Sequence, residues 1–390
     1  MEKIDTVVIG GGAVGLAIAN AIAEKGKDIF LFEKNPYLGD EQSGRNSGVI
    51  HAGLYYKEYP LKKRLCVDGN RMLYAFCEKN GVSFSKTGKF IVTVNAEEDR
   101  MIDCYIDNAR DAGAPGVRRV SPADVRAKEP NVNVYSALIS PSTGIVDAAD
   151  YISCLGREAR AKGVEVMTST KVTGITSGGA GFIIELEEGG GKSGGAVRRE
   201  EFTAETIINS AGLCSDEIAN MINPENAYKI IPVRGEYYCF DSSSRSELAM
   251  NGTNVYPVQK EYFIDGVRHL AIGIHLTPVF DIAPDGRKVI GKKILVGPTS
   301  LPVREKNDFE KGRLGPEHFY EGVKGFFPGI KPEDLKIDYA GNRAKLETGG
   351  DFIIERDKKY SGAVNLVGIE SPGLTASLAI AEFVKNLIAV

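Results

Sequence analysis

The stretch DTVVIGGGAVGLAIANAIAEKGKDIFLFEK, from Asp5 to Lys34, decides the fold of the chain. Its apolar run from Asp5 to Ile9 predicts a strand, and the glycines that follow predict a turn. The apolar periodicity from Ala13 to Lys25 predicts a helix, and the segment from Asp28 to Glu33 predicts a second strand. This βαβ order is typical of a parallel sheet.

A glycine fingerprint inside this unit predicts a dinucleotide site. Gly10, Gly12 and Gly15 follow the GxGxxG spacing between the strand and the helix, and Glu33 closes the next strand. Such glycines let backbone N–H groups approach a pyrophosphate, and the acid accepts hydrogen bonds from ribose hydroxyls. NAD and FAD share the adenosine diphosphate half, so the fingerprint leaves the choice between them open.

The strand, turn and helix pattern recurs at Glu205 to Ile222 and at Gly362 to Ile388. Three such units, far apart in the chain, predict an α/β, Rossmann-like domain that is discontinuous. We expect this domain to comprise residues 1–80, 145–220 and 338–390.

The intervening segments, residues 81–144 and 221–337, are predicted to form an inserted substrate domain. Alternating patterns at Glu236 to Phe240 and Asn254 to Val258 favour antiparallel strands. The predicted fold class is therefore α/β plus α+β, with a mainly antiparallel β insertion.

Composition excludes several classes of protein. A formal net charge of -4, from 48 basic and 52 acidic residues, gives no basis for binding nucleic acid. The six cysteines form no CxxC pair, so we expect no metal site and read them as reduced thiols of a cytoplasmic protein. The apolar run from Val7 to Ala23 is short and broken by glycines, so no transmembrane segment is expected; peripheral contact with the inner face of a membrane stays open.

The segment SGRNSGVIHAGLYY, Ser43 to Tyr56, resembles the one that follows the ribose-binding acid in D-amino-acid-oxidase-like flavoproteins. Further motifs make the L-2-hydroxyglutarate dehydrogenase/oxidase family the closest resemblance: LCVDGNR (Leu65–Arg71), STGIVDAADY (Ser142–Tyr151), PVRGEYY (Pro232–Tyr238), VYPV (Val255–Val258), GIHLT (Gly273–Thr277), LVGP (Leu295–Pro298) and AGNRAKL (Ala340–Leu346). The resemblance implies FAD as the cofactor. It also implies oxidation of a small anionic 2-hydroxy acid, foremost L-2-hydroxyglutarate to 2-oxoglutarate, by hydride transfer to flavin N5.

The resemblance also implies which other residues bind FAD. Beside the fingerprint residues and Glu33, the expected cofactor contacts are Lys34, Arg45, Asn46, Ser47, Ala211, Gly212, Gly341, Gly373, Leu374 and Thr375. The last three begin a predicted helix, whose N-terminus favours negative charge on the cofactor.

Oxidising an alcohol requires a base for the hydroxyl proton, and histidine is the natural base near neutral pH. His51 lies in the flavin-facing segment and is the predicted base; the alternatives are a packing role and covalent attachment of FAD. His275, in GIHLT, is a second candidate for the proton or for a carboxylate. The alternative for His275 is a purely structural role as a buried histidine.

The carboxylates of such a substrate need cations. Arg343 in AGNRAKL is the leading candidate, because a guanidinium matches a carboxylate in two parallel hydrogen bonds. Lys345, Arg234 and Tyr256 are further candidates. The structural alternatives are a solvated surface position for Lys345, a bracing role in the substrate domain for Arg234 and a core position for Tyr256.

Three rival functions stay open. The C-terminal GIESPGLTAS, Gly368 to Ser377, resembles glycerol-3-phosphate oxidases of the same superfamily, in which the cations would hold phosphate. The other two rivals are an NAD-dependent dehydrogenase and a non-catalytic flavin-binding protein. The electron acceptor is expected to be oxygen or a quinone.

Overall fold

The computed structural model describes residues 3–178, 181–189, 198–264 and 266–389. Within these residues the α-helices are α1 (Ala13–Ile22), α2 (Pro60–Asn80), α3 (Ala96–Ala112), α4 (Pro122–Lys128), α5 (Ala148–Ala161), α6 (Ser215–Ile222), α7 (Pro316–Val323) and α8 (Gly373–Ile388). The strands are β1 (Lys3–Ile9), β2 (Ile29–Phe32), β3 (Val49–Ile50), β4 (Phe84–Ser85), β5 (Lys89–Thr93), β6 (Arg118–Val120), β7 (Ser136–Ser140), β8 (Gly144–Val146), β9 (Glu165–Met167), β10 (Thr170–Gly178), β11 (Gly181–Glu188), β12 (Arg198–Asn209), β13 (Ile230–Asp241), β14 (Asn254–Pro257), β15 (Lys260–Ile264), β16 (Val267–Ala271), β17 (His275–Ile282), β18 (Lys288–Gly297), β19 (Leu301–Pro302), β20 (Leu335–Leu346), β21 (Ile353–Arg356) and β22 (Ala363–Val367).

The first sheet has the parallel core that the opening stretch predicts. Its order is β10-β11-β12-β1-β2-β9. Strand β22 pairs with the last residues of β12, beyond the part of β12 that pairs with β11, and β21 pairs with β22. The pairs β1/β12, β1/β2, β2/β9 and β12/β22 are parallel, whereas β10, β11 and β21 add antiparallel edges. In β1 the residues Val7, Val8 and Ile9 are buried, which explains the continuous apolar run.

Helices α1, α5 and α8 cover one face of this sheet. Their apolar residues form a single core with the sheet, to which Leu16, Leu155 and Ile380 contribute fully buried side chains. Helix α1 ends at Ile22 rather than at Lys25, because the backbone of Ala23 already turns to an extended conformation. The strand, helix and strand order of the opening stretch is otherwise as predicted.

The second sheet is larger and mainly antiparallel. Its order is β19-β13-β18-β17-β14-β5-β7-β6, and β20 pairs with β13 over most of its length. The predicted strand around Tyr256 pairs antiparallel with β17 but parallel with β5. Two small sheets, β15-β16 and β3-β8-β4, complete the strands of the described chain.

The strands of the parallel sheet fall within the segments predicted for the dinucleotide domain. Strand β20 runs across the boundary predicted at residue 338, since its pairing with β13 starts at Leu335. The division into domains stays a prediction at the level of individual boundaries, while the two kinds of sheet agree with the predicted fold class. No helix in the described part of the chain is both long and apolar enough to cross a bilayer.

Candidate functional site

A long cavity runs between the two sheets and collects most of the predicted site residues. At one end it is lined by the start of α1 and at the other by the second sheet. Among the predicted residues, those in its wall are Gly12, Arg45, Asn46, Ser47, His51, Gly212, Tyr256, His275, Gly341, Arg343, Lys345, Gly373, Leu374 and Thr375.

The three fingerprint glycines have different physical roles. Gly10 has a φ of +109°, so only glycine adopts this turn without strain. A Cβ on Gly15 would lie 2.0 Å from the carbonyl oxygen of Gly10, so Gly15 allows α1 to pack against the turn. Gly12 caps α1 and faces the cavity, where a Cβ would meet the Ser43 hydroxyl. The cavity therefore ends at the N-terminus of α1, which suits a pyrophosphate.

Glu33 is held in place beside this helix start. Its carboxylate accepts hydrogen bonds from the backbone N–H of Gly11 at 2.7 Å and of Asn35 at 2.8 Å. Burial raises the pKa of the Glu33 carboxyl, and these two N–H groups oppose the rise. Lys34 lies apart from the cavity wall, because its ammonium group binds Glu41 at 2.8 Å and the sulfur of Cys214 at 3.4 Å.

The segment after β2 is fastened by its own polar side chains. The guanidinium of Arg45 donates to the carbonyl oxygens of Asp40 and Ala340 and lies over the ring of Phe309. Asn46 closes a turn by donating to the carbonyl oxygen of Ser43 at 2.7 Å. These contacts present the backbone from Arg45 onward to the cavity.

Gly341 lets strand β20 approach this segment closely. A Cβ at Gly341 would lie 2.1 Å from the carbonyl oxygen of Arg45. Any larger residue at this position would push β20 away from the cavity wall.

Two turns at the ends of parallel strands complete the wall. Gly212, with a φ of +56°, follows β12 and lines the cavity, whereas Ala211 is outside the wall and bonds to the Asn209 side chain. The hydroxyl of Thr375, in the first turn of α8, accepts from the N–H of His51 at 3.0 Å and donates to the carbonyl oxygen of Val49 at 3.1 Å. This pair of bonds ties the start of α8 to the segment that carries His51.

The residues present fit FAD. The cavity joins two helix N-termini, one at Gly12 for a pyrophosphate and one at Gly373, with the slim Ser43 to Tyr56 segment between them. Glu33, which follows β2 and binds the backbone of Gly11, would accept hydrogen bonds from ribose hydroxyls of the cofactor. Buried polar atoms in the cavity wall, Nδ1 of His51, Nε2 of His275 and the Tyr55 hydroxyl, have no hydrogen-bond partner among the described residues, as expected where ligands bind.

The two candidate bases lie in the same wall. The Nδ1 of His275 lies 2.9 Å from the carbonyl oxygen of Gly273, which can only accept, so Nδ1 carries the proton and Nε2 presents a lone pair. The Nε2 of His51 lies 3.4 Å from the Ser371 hydroxyl.

Both imidazoles are electrically neutral at neutral pH. Burial, with smaller effects of Lys89 and His275, lowers the pKa of His51 well below its usual range. Burial also lowers the pKa of His275 to about 3, against a partly compensating hydrogen bond to Gly273. Each ring can therefore accept a proton without first losing one.

A cluster of charges lines the neighbouring wall. Glu370 binds Lys345 at 3.1 Å and Lys62 at 3.4 Å. Burial of Glu370 is outweighed by the charges of Lys345, Lys62 and Arg343, which hold its pKa at about 2.

Arg343 donates from Nη1 to the carbonyl oxygen of Thr299 at 3.0 Å. Within the described wall the basic side chains Arg45, Lys62, Arg343 and Lys345 outnumber the single carboxylate, Glu370. Lys62 and Glu370 were not predicted from sequence, because they become neighbours of Lys345 only through the fold.

Arg234 is the predicted substrate ligand that the structure places elsewhere. Its side chain is 3 % exposed and binds Glu236 at 2.8 Å and Asp308 at 3.4 Å. It does not belong to the described cavity wall, because its guanidinium is already neutralised inside the second sheet. The signal was present in the sequence: Arg234 and Glu236 are two residues apart, on the same face of one strand. Tyr256, by contrast, lines the cavity and stacks on His275.

A parallel sheet ending in a dinucleotide site, facing a mainly antiparallel sheet across a cation-lined cavity, defines a flavin-dependent oxidoreductase. The chain belongs to the family described as FAD dependent oxidoreductase, whose model matches residues 5–387. The predicted cofactor, FAD, is confirmed, and the NAD-dependent alternative is wrong.

Within this family, the chain is similar to known L-2-hydroxyglutarate dehydrogenases. It is 31% identical over 420 residues to a mitochondrial L-2-hydroxyglutarate dehydrogenase of Caenorhabditis elegans, covering 99% of this chain and 93% of that protein. It is 32% identical over 429 residues to the corresponding Homo sapiens enzyme, covering 99% and 88%. These matches confirm the predicted resemblance.

Among solved structures, the L-alpha-glycerophosphate oxidase of Mycoplasma pneumoniae, dithionite reduced and with FAD bound, is similar over its whole fold. The TM-score is 0.83 at 25% identity, with 100% of this chain and 96% of that chain covered. The predicted fold class is thereby confirmed.

Proposed function

We propose that this protein oxidises L-2-hydroxyglutarate to 2-oxoglutarate. The observation that carries the proposal is a cavity in which two neutral imidazoles with unpaired nitrogens share the wall with Arg343, Lys345 and Lys62. A small substrate with two carboxylates and one hydroxyl matches this set of groups. The similarity to L-2-hydroxyglutarate dehydrogenases over 99% of the chain supports the same substrate.

Bound FAD supplies the hydride acceptor, and the protein must remove the hydroxyl proton. His51 is the proposed base, because its backbone is fixed on both sides: its N–H donates to Thr375, and its carbonyl accepts from Asn70 at 2.8 Å. His275 is proposed to receive a hydrogen bond at its bare Nε2 and so orient the substrate hydroxyl.

Arg343 is proposed to bind one substrate carboxylate. Its Nη1 is anchored on Thr299, and Gly235 leaves room for the rest of the guanidinium, since a Cβ there would lie 2.9 Å from Nη2. Lys345 and Lys62 share Glu370, and together the three carry one net positive charge toward the second carboxylate. Tyr256 is proposed to contact the substrate while holding His275 in plane.

The residues proposed to hold FAD include three that are not part of the cavity wall, Gly10, Gly15 and Glu33. Those in the wall are Gly12, Arg45, Asn46, Ser47, Gly212, Gly341, Gly373, Leu374 and Thr375. Lys34 and Ala211 are assigned supporting roles, because their polar groups bind neighbouring protein atoms.

The test is an anaerobic titration of the purified yellow protein with L-2-hydroxyglutarate, followed at the absorbance of oxidised flavin. Bleaching by this compound and not by its D-enantiomer is the expected result. In His51→Ala the rate of bleaching falls by about 10²- to 10⁴-fold, the range for a lost general base. A His51→Ala protein that is bleached at the normal rate would transfer the proposed role to His275.

Glycerol 3-phosphate is the second candidate substrate. The similarity to the Mycoplasma pneumoniae glycerophosphate oxidase favours it, and the same cations would bind a phosphate dianion. Bleaching by L-glycerol 3-phosphate, with no response to L-2-hydroxyglutarate, would replace the first proposal.

We further propose a cytoplasmic enzyme that delivers electrons to oxygen or to a quinone at the inner membrane face. Comparing the rates at which oxygen and a soluble quinone reoxidise the bleached protein distinguishes the two acceptors. Acid precipitation then shows whether FAD stays with the protein, as attachment through His51 would require.

A further inference from the structure

Lys89 is a basic residue in the interior of the second sheet. It is the first residue of β5, where it lies opposite Asn254 of β14 and Ser140 of β7, and its side chain is fully buried. Its amine nitrogen has no hydrogen-bond partner among the residues that the structure describes. A buried amine without a partner is unfavourable for folding, so its presence requires a reason.

The amine lies directly behind the wall of the cavity. It is 4.6 Å from the ring centroid of Tyr55 and 4.6 Å from that of Tyr256. Both rings line the cavity, and Tyr256 also stacks on His275, which is proposed to orient the substrate. Two aromatic faces stabilise an ammonium group by cation–π attraction but do not neutralise its charge.

Among the described residues, the ionisable groups around Lys89 provide no counter-ion. Cys66 of α2 favours the ammonium form, but burial raises the pKa of the Cys66 thiol to about 12, so it is uncharged at neutral pH. Tyr55 and Tyr256 are neutral as well, because burial raises the pKa of each phenol. His51 and His275 are neutral, and a charged Lys89 further disfavours protonation of either ring. Burial lowers the pKa of Lys89 itself to about 7.

We propose that Lys89 is the counter-charge of the bound substrate: when an anion fills the cavity in front of Tyr55 and Tyr256, the amine takes up a proton from solvent. The resulting ammonium group attracts the anion through the aromatic wall. Lys89 is thus a positioning residue that acts through Tyr55 and Tyr256. The inference rests on the proposed function only in requiring an anionic substrate.

Linkage fixes how binding depends on pH. An anion that raises the pKa of Lys89 binds most tightly below the pKa of the free protein, about 7, and more weakly as the pH rises above it. Burial holds the pKa values of His51 and His275 below their usual range, so neither histidine contributes to the slope between pH 6 and pH 9.

The experiment titrates the holoenzyme with 2-oxoglutarate from pH 6 to pH 9 and follows the flavin absorbance. Wild type, Lys89→Met, Lys89→Gln and the control Lys128→Met are compared. Lys128 is exposed and lies 5.9 Å from the ring of Phe90, the residue next to Lys89.

For wild type and the control, the Kd is expected to rise by roughly tenfold in total between pH 6 and pH 9, as Lys89 of the free protein loses its proton. For both Lys89 variants the Kd is expected to be flat and, at pH 6, about tenfold weaker than that of wild type. A dye in weakly buffered solution at pH 7 should record uptake of about half a proton per site in wild type and none in the Lys89 variants.

Stability separates this role from a structural one. Replacing the unpaired amine with the apolar side chain of methionine should leave the thermal midpoint of the ligand-free holoenzyme unchanged or raise it. A Lys89→Met protein that melts lower, yet keeps the wild-type slope of Kd with pH, would overturn the proposal. So would recovery of that slope in Lys89→Gln.

A wild-type spectrum that does not respond to 2-oxoglutarate refutes the proposed function. The same proteins are then titrated with sulfate, which is a dianion at every pH used. The wild-type slope and its loss in the Lys89 variants would support the role of Lys89 for another anion. A flat wild-type profile, or no binding of either anion, overturns the inference.

Discussion

The imidazole of His275 stacks on the phenol ring of Tyr256, with ring centroids 3.7 Å apart and an angle of 28° between the planes. The Gly273 carbonyl oxygen holds the Nδ1 side of the same ring. One contact fixes the plane of the imidazole and the other its rotation, so that the bare Nε2 points in one direction. Nε2 of His275 is therefore a hydrogen-bond acceptor with a fixed direction, which is what precise positioning of a substrate requires.

Removing the stacking ring should lower the rate of flavin reduction. An aromatic pair contributes about 0.5–1.5 kcal/mol beyond burial, so Tyr256→Leu is expected to slow reduction by L-2-hydroxyglutarate roughly threefold to tenfold. Tyr256→Phe keeps the ring and should stay close to wild type in anaerobic stopped-flow measurements. Equal losses in the two variants would instead assign the effect to the phenol hydroxyl.

The dinucleotide end of the site could be predicted from sequence because its signals are local. The fingerprint glycines, the helix they open and Glu33 lie within one βαβ unit, where spacing alone fixes their arrangement. Lys62, Lys345 and Glu370 meet only after long crossovers of the chain, so no spacing rule brings them together.

The partners of buried charged residues could not be predicted from the sequence either. Lys89 begins KFIVT, a strand whose residues are all buried, and a lysine in such a strand was the available signal. Arg234 is a candidate substrate ligand by its charge alone, but in the structure Glu236 neutralises it. The charge of a side chain predicts which class of ligand it could bind. Whether it binds a ligand or a neighbouring side chain depends on how the chain packs.

Close backbone approach at two glycines predicts loss of the cofactor. In Gly15→Ala and Gly341→Ala the new methyl group would meet a backbone carbonyl oxygen at 2.0 and 2.1 Å, and backbone moves less readily than a side chain. Both variants should purify with much less bound flavin, measured as the ratio of the absorbance of oxidised flavin to that of protein.

The matched control for these glycines is Gly178→Ala, because a Cβ there would meet no atom of the described residues within 4 Å and the backbone is not left-handed. It should retain the wild-type flavin content. Full flavin content in Gly15→Ala would show that the close contact at α1 is not required for FAD binding.

Glu33→Gln should separate cofactor binding from folding. Burial raises the folded-state pKa of Glu33, so the contribution of this carboxyl to stability is complete at low pH and is lost as the pH rises through that pKa. The FAD-free variant is therefore expected to melt no lower than wild type at pH 7. Because a neutral amide accepts ribose hydrogen bonds less strongly, FAD should bind about tenfold more weakly. A large drop in the melting temperature of the FAD-free protein would contradict this reading.

Glu370→Gln should have opposite effects on stability and on anion binding. The folded-state pKa of Glu370 is about 2 against an ordinary value of 4.5, so its stabilising contribution is present above pH 4.5 and is lost as the pH falls toward 2. The variant is expected to lose about 3 kcal/mol of unfolding free energy at pH 7, and this difference from wild type should shrink on acidification.

The same substitution leaves Lys62 and Lys345 without their shared carboxylate, so 2-oxoglutarate should bind several-fold more tightly to Glu370→Gln than to wild type. Glu347→Gln is the matched control, because Glu347 pairs with Lys229 on the surface, where an ion pair contributes about 0–1 kcal/mol. Urea unfolding at several pH values and flavin-absorbance titrations measure the two effects. Weaker 2-oxoglutarate binding in Glu370→Gln would mean that Glu370 holds the two lysines in the geometry that binds the anion, and that this ordering outweighs the charge it cancels.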